Sequence, residues 1–96
     1  MSCYIVLANW TDQGIRNVKD APKRAAAVRA AVEKAGGKYV RYYTFGQYDM
    51  VGIFEGINDE AVMSILLALG SQGNIRTTTL KAFTEAEGAK IIEKLS

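Results

Sequence analysis

The sequence predicts an α+β domain with the element order β-α-β-β-α-β-α, in which one four-stranded antiparallel sheet carries its helices on a single face. Three observations predict it. Short runs rich in β-branched and aromatic residues recur four times, separated by turn residues. Two intervening segments instead space their apolar residues by three and four, the period of a helix. At 96 residues, 49% apolar and 23% charged, with a single proline, the chain fits one ordered globular domain with a small core.

Cys3 to Trp10, CYIVLANW, reads as the first strand and is bounded by the polar Thr11-Asp12-Gln13-Gly14. Its side chains alternate, Tyr4, Val6, Ala8 and Trp10 on one face and Ile5 and Leu7 on the other, so both faces are apolar. Asp20 to Ala35 reads as a helix with Asp20 as N-cap, Pro22 in the first turn, and Ala25, Val28, Val32 and Ala35 on one stripe. Gly36-Gly37 ends it. Lys38 to Phe45 and Tyr48 to Glu55 read as two strands joined across Gly46-Gln47, a Gly-X pair that suits a type II′ hairpin turn. Asn58 and Asp59 cap a second helix bearing Val62, Ile65, Leu66 and Leu69, and Gly70 is placed to end it. Asn74 to Phe83 is the fourth strand and carries Thr77-Thr78-Thr79. Thr84-Glu85-Ala86-Glu87 matches a capping box and opens a terminal helix expected to bury some of Ile91, Ile92 and Leu95.

This order is the split βαβ arrangement called ferredoxin-like. Right-handed crossovers and short connections favour one sheet, with the first and third strands in the centre. Its helices can cover only one side. Yet for the third strand neither Tyr48, Met50, Gly52 and Phe54 nor Asp49, Val51, Ile53 and Glu55 make a solvent face. The uncovered side is therefore expected to meet a second copy of the chain, sheet against sheet around a barrel-like interior, since large exposed apolar patches mark interfaces.

Composition also excludes. No histidine is present, which removes the commonest general base and metal ligand, so neither a metal nor another cofactor is expected. A net charge of +2 without a clustered basic stripe argues against nucleic acid. No apolar run reaches the ~18 residues of a membrane span. The single Cys3 cannot pair within the chain, and no secretory pattern opens the sequence, so a cytoplasmic location is expected.

The topology brings Asn9, Trp10 and Thr11, the segment Phe45 to Asp49, and Asn74 to Thr77 to one rim, where the first long helix also starts. Helix starts favour anions, and near this one the sequence places Arg16, Lys19, Lys23 and Arg24 from the long loop and early helix, and Arg76 from the fourth strand. The connection of about ten residues after Trp10 exceeds the usual 2–6, and long loops on rigid scaffolds often carry binding groups. Each candidate has a structural alternative. Trp10 is a stacking platform or a buried aromatic. Asp49 is a catalytic or ligand group, or a partner for Arg76 or loop amides. Tyr48 orients a ligand or bonds a backbone carbonyl. Arg24 opposes its helix dipole unless it meets an anion, and Cys3 fits an inert apolar role.

Tyr4 to Arg16, Gly46-x-Tyr48-Asp49, Gly73 to Thr77 and Ala82-Phe83-Thr84, taken in order, resemble the GYD domain family of small bacterial proteins. The resemblance spans nearly the whole chain, with Gln47 at the variable position of the eponymous segment. It implies a dimeric α/β-barrel type of ferredoxin-like fold without an established activity. Such folds host cofactor-free enzymes and ligand-sensing modules, an analogy that does not fix function, and the histidines that several of those enzymes use are absent here. The expectation is a homo-oligomer whose pocket behind the sheet takes a small anionic or aromatic molecule, with Asn9, Trp10, Tyr48, Asp49 and Arg76 at the mouth and Arg24 near it. The alternatives are a cofactor-free enzyme with Asp49 as general base, and an assembly module without a ligand.

Overall fold

The computed structural model describes residues 3–95. Strand β1 (Cys3–Trp10) is followed by a short helix α1 (Asp12–Arg16), a 3-10 turn (Val18–Asp20) and the long helix α2 (Ala21–Lys34). Strands β2 (Lys38–Tyr43) and β3 (Met50–Glu55), helix α3 (Asp59–Ser71), strand β4 (Ile75–Ala82) and helix α4 (Glu85–Glu93) complete the order. The sheet runs β2-β3-β1-β4, antiparallel throughout, with Ile5 paired to both Ile53 and Leu80 and Val40 to Ile53. This is the ferredoxin-like order expected, with β1 and β3 central.

Strand alternation divides the sheet into two surfaces. The covered one presents Tyr4, Val6 and Ala8 from β1, Met50 and Phe54 from β3, Tyr39 from β2 and Ile75 from β4, all buried. Val28 and Val32 of α2 and Val62 of α3 close over it, and Val32 and Phe54 are the best-buried side chains at 0% and 1% exposure. The opposite surface carries Ile5, Leu7, Val51 and Ile53, half-buried by their neighbours in the sheet, and Val40, Tyr42 and Leu80, exposed. No described helix buries it.

Local chemistry sets the helix ends. Gly36, at a positive φ of 94°, turns the chain out of α2. The Asn58 side chain accepts from the Ala61 amide at 2.8 Å to start α3. At α4 the Glu87 amide donates to Thr84 Oγ1 and the Thr84 amide to Glu87 Oε1, the capping box read from the sequence.

The structure departs from the sequence reading in five places. The connection after β1 is not an open loop: α1 and the 3-10 turn occupy it. Asp20 makes no capping bond from its side chain, because its backbone already turns within that 3-10 segment. Helix α3 passes through Gly70 to Ser71, and the left-handed exit falls at Gly73, φ 80°. The β2–β3 connection is not a two-residue type II′ turn. Strand pairing stops at Tyr43 and Met50, and a wider loop is closed by the Thr44 amide to the Asp49 carbonyl, 2.9 Å, and by Thr44 Oγ1 to the Tyr48 carbonyl, 2.6 Å. Finally, α4 buries none of its residues; Ile91, Ile92 and Leu95 all remain exposed.

Candidate functional site

The rim that topology predicts is present, and most of its polar residues hold the rim itself together. Thr11 caps α1 by accepting the Gly14 amide, and its hydroxyl donates to the Gly73 carbonyl at 2.6 Å while its amide donates to Asn74. Gln13 Nε2 donates to the Gln72 carbonyl at 2.9 Å and to Asn74 Oδ1 at 3.0 Å. Gly14 is buried so tightly against this turn that a Cβ would lie 1.8 Å from the Asn74 carbonyl oxygen. The stretch Thr11-Asp12-Gln13-Gly14 is thus a clamp between the end of β1 and the start of β4.

Asp49 performs the matching task on the other side of β1. Its amide donates to the Ala8 carbonyl, and its Oδ2 accepts the Trp10 amide at 2.9 Å. The carboxylate therefore supplies an acceptor where the β1–β3 ladder, which ends at Ala8 and Met50, has none to offer. With its carbonyl taken by the Thr44 amide, Asp49 ties β1, β2 and β3 into one corner. No ion pair joins it to Arg76; the pairing considered from sequence is not the one formed.

Next to that corner the Trp10 and Tyr43 rings lie stacked, with centroids 6.4 Å apart and planes 17° from parallel. Together with Val18, Ala21, Pro22, Thr44 and Asp49 they line an open cleft of about 380 Å³ on the helix side of the sheet. Parity decides what else can reach it. Trp10 and Tyr43 share the helix-side parity of Ala8 and Tyr39, whereas Asn9 and Arg76, paired across β1 and β4, point to the open surface. Tyr48 lies in the β2–β3 loop, its carbonyl bonded to Thr44 Oγ1, and does not line the cleft. Arg24 lies apart from both groups. Its Nη1 donates to the Asn17 carbonyl at 3.3 Å, its Nη2 is buried without a hydrogen-bond partner, and it borders a groove of about 150 Å³ between α2 and α3. The structure thus joins Trp10 with Asp49 and Asn9 with Arg76, and keeps the two pairs on opposite surfaces. Tyr43, Val18 and Pro22 are not among the residues expected there, though the parity that Tyr43 shares with Tyr39 and the place of Pro22 in the first turn of the helix starting at this rim point to two of them.

Other chemistry is sparse. Among the described residues no cluster of three His, Cys, Asp or Glu side chains could hold a metal ion. Burial, helped by the Glu55 and Glu87 carboxylates, pushes the Cys3 thiol pKa up, away from thiolate chemistry. No described helix is long and apolar enough to cross a membrane.

Fold and rim together define a ferredoxin-like α+β module braced at one end and bare on one sheet surface. The chain belongs to the GYD domain family, whose model matches residues 4–92. It is 33% identical over 89 residues to a Thermus thermophilus protein named glutamine synthetase and cystathionine beta-lyase binding protein, a match covering 91% of this chain and 94% of that one. The crystal structure of TTHA0845 from Thermus thermophilus is similar at a TM-score of 0.52, covering 86% of this chain and 94% of that one. At 24% identity the second likeness is one of fold alone.

Proposed function

We propose that this chain is a self-associating accessory protein that binds other proteins, and that a second copy covers the open surface of its sheet. One observation carries the reading. Ile5, Leu7, Val40, Tyr42, Val51, Ile53 and Leu80 form a continuous apolar surface across all four strands, and no described helix buries it. The partner class comes from the relative named for binding glutamine synthetase and cystathionine beta-lyase, which aligns over nearly all of both chains. Sedimentation velocity at tens of micromolar should show a dimer or larger, and interferometry should detect binding to at least one of those two enzymes. A monomer that binds neither would end this reading.

A second reading is a small ligand at the rim. The ring pair Trp10–Tyr43 favours it, in a cleft whose volume falls in the range of about 300–1,000 Å³ common for ligand sites. The charged group in that lining is the Asp49 carboxylate, which supports an aromatic, neutral or cationic guest over an anionic one. An anion would instead suit Arg76 on the open surface, at the contact with the second copy. If Asp49 acts as a general base, Oδ1 is the oxygen left for it, because Oδ2 holds the Trp10 amide. Titration of Trp10 fluorescence with flat aromatic amines and acids separates these cases; a flat response to both classes leaves the rim a brace.

A further inference from the structure

Helix α4 is the least supported element of the fold. It has nine residues, and isolated helices shorter than about 12–15 residues are marginal in water. Its apolar residues Ile91 and Ile92, with Leu95 just past its end and Phe83 just before it, are 49–72% exposed. The helix also does not fold back on its own domain. The molecule measures 52 × 31 × 18 Å, with a radius of gyration of 14.7 Å against about 12.5 Å for a compact chain of this length. An eight-residue strand of about 26 Å, a two-residue linker and a helix of about 13 Å laid end to end account for most of that long axis. So α4 runs on from the end of β4 and projects past the sheet.

Resting on the self-association proposed above, we infer that α4 is an exchanged arm: each copy lays Ile91, Ile92 and Leu95 on the other copy, along the flank of its open sheet. Area argues for the exchange. Four strands about 4.8 Å apart and six to eight residues long present a flat patch of roughly 400 Å². A standard interface takes about 800 Å² from each partner, so the sheet alone supplies only half. In a two-fold dimer each copy gives one helix and receives one. At about 13 Å by 10 Å the donated helix face adds roughly 130 Å² per copy and brings the contact closer to the standard size. The same chain thus holds both the apolar key and an apolar seat, as an isologous contact requires. The sheet offers a seat at either edge: Val40 and Tyr42 stay exposed on the edge strand β2, and Leu80 on the opposite edge strand β4.

The test uses the full chain. Isotope-filtered NMR on a mixture of labelled and unlabelled copies should show contacts from the Ile91, Ile92 and Leu95 methyls to the other copy's Val40, Tyr42 or Leu80. The triple variant Ile91→Asp, Ile92→Asp, Leu95→Asp should raise the dimer dissociation constant at least 30-fold. Those side chains are exposed within one copy, so the thermal midpoint at monomeric dilution should not move. A wild-type dimer whose α4 methyls contact only their own copy, or a triple variant that dimerises as well as wild type, would overturn the arm while leaving self-association intact. A wild-type chain that is monomeric at high concentration would instead remove the assembly itself, in a separate measurement.

Discussion

Phe54 and Ile53 are chain neighbours on the same central strand, yet they face very different surroundings. Phe54 is sealed against Tyr39, with ring centroids 5.1 Å apart, and under α2 and α3; Ile53 faces out between Ile5 and Val40, and no described helix covers it. Both are apolar, and apolar surface on either side of a sheet gains stability by leaving water. The difference teaches that apolar pattern states a demand for cover and not its source. One surface satisfies that demand within the chain. The other, like α4, does not.

The sharpest way to test this contrast is to remove one neighbour at a time. Phe54→Ala should cost about 3–5 kcal/mol of folding stability, by lost transfer energy and a cavity that the two helices cannot fill. Urea unfolding with unchanged slope would check it. Asp49→Ala comes next, at about 1–3 kcal/mol, because it strips the acceptor from the partly buried Trp10 amide and loosens the corner where three strands meet. Asp49→Asn keeps an oxygen there and should stay within about 1 kcal/mol. That makes it the variant with which to look for lost turnover, since it removes a base while sparing the brace. Ile53→Asp should have the smallest effect on a single copy, about 1 kcal/mol at monomeric dilution, but should weaken self-association at least 100-fold. If Ile53→Asp unfolds the monomer as badly as Phe54→Ala, the two surfaces are not as different as their cover implies.

How far the sequence could be read follows from the same contrast. Strands and long helices were legible because the periods of two and of three to four are local, and the Thr84–Glu87 box and the Asn58 cap are local as well. Helix α1 was not, since five residues have no period to speak of and are held by Thr11, Gln13 and the close approach of Gly14 to Asn74, partners about 60 positions away. The place of the rim is legible, because antiparallel topology fixes which strand ends meet. Its side chains were grouped wrongly in space, because nearness of strand ends says nothing of surface: Asn9 and Trp10 are adjacent in sequence and leave β1 in opposite directions. The brace in Tyr48-Asp49 was hidden for a further reason. A carboxylate that continues a strand ladder looks, in sequence, like any other carboxylate near a turn.

The mildest perturbation, acid, should discriminate between the packed and the unpacked helices. The Thr84 amide, donating to the carboxylate, holds the Glu87 pKa below the usual glutamate range. A group with a depressed folded pKa contributes stability that is present in full above its unfolded value, about 4.3, and is lost as pH falls through the lower folded value. Acidification through that window should therefore release one half of the α4 capping box. Helices α2 and α3 are held by Val28, Val32 and Val62 against the sheet, none of which titrates. On a variant kept monomeric by Ile53→Asp, far-ultraviolet dichroism should lose a small helical fraction below pH ~4 while the near-ultraviolet signal of the Tyr39–Phe54 core persists. If α4 is the exchanged arm proposed above, the same loss should shift to lower pH in the wild-type chain at assembling concentration, because an arm held by a partner no longer depends on its cap alone. Identical acid profiles for the two proteins would mean that α4 gains nothing from assembly.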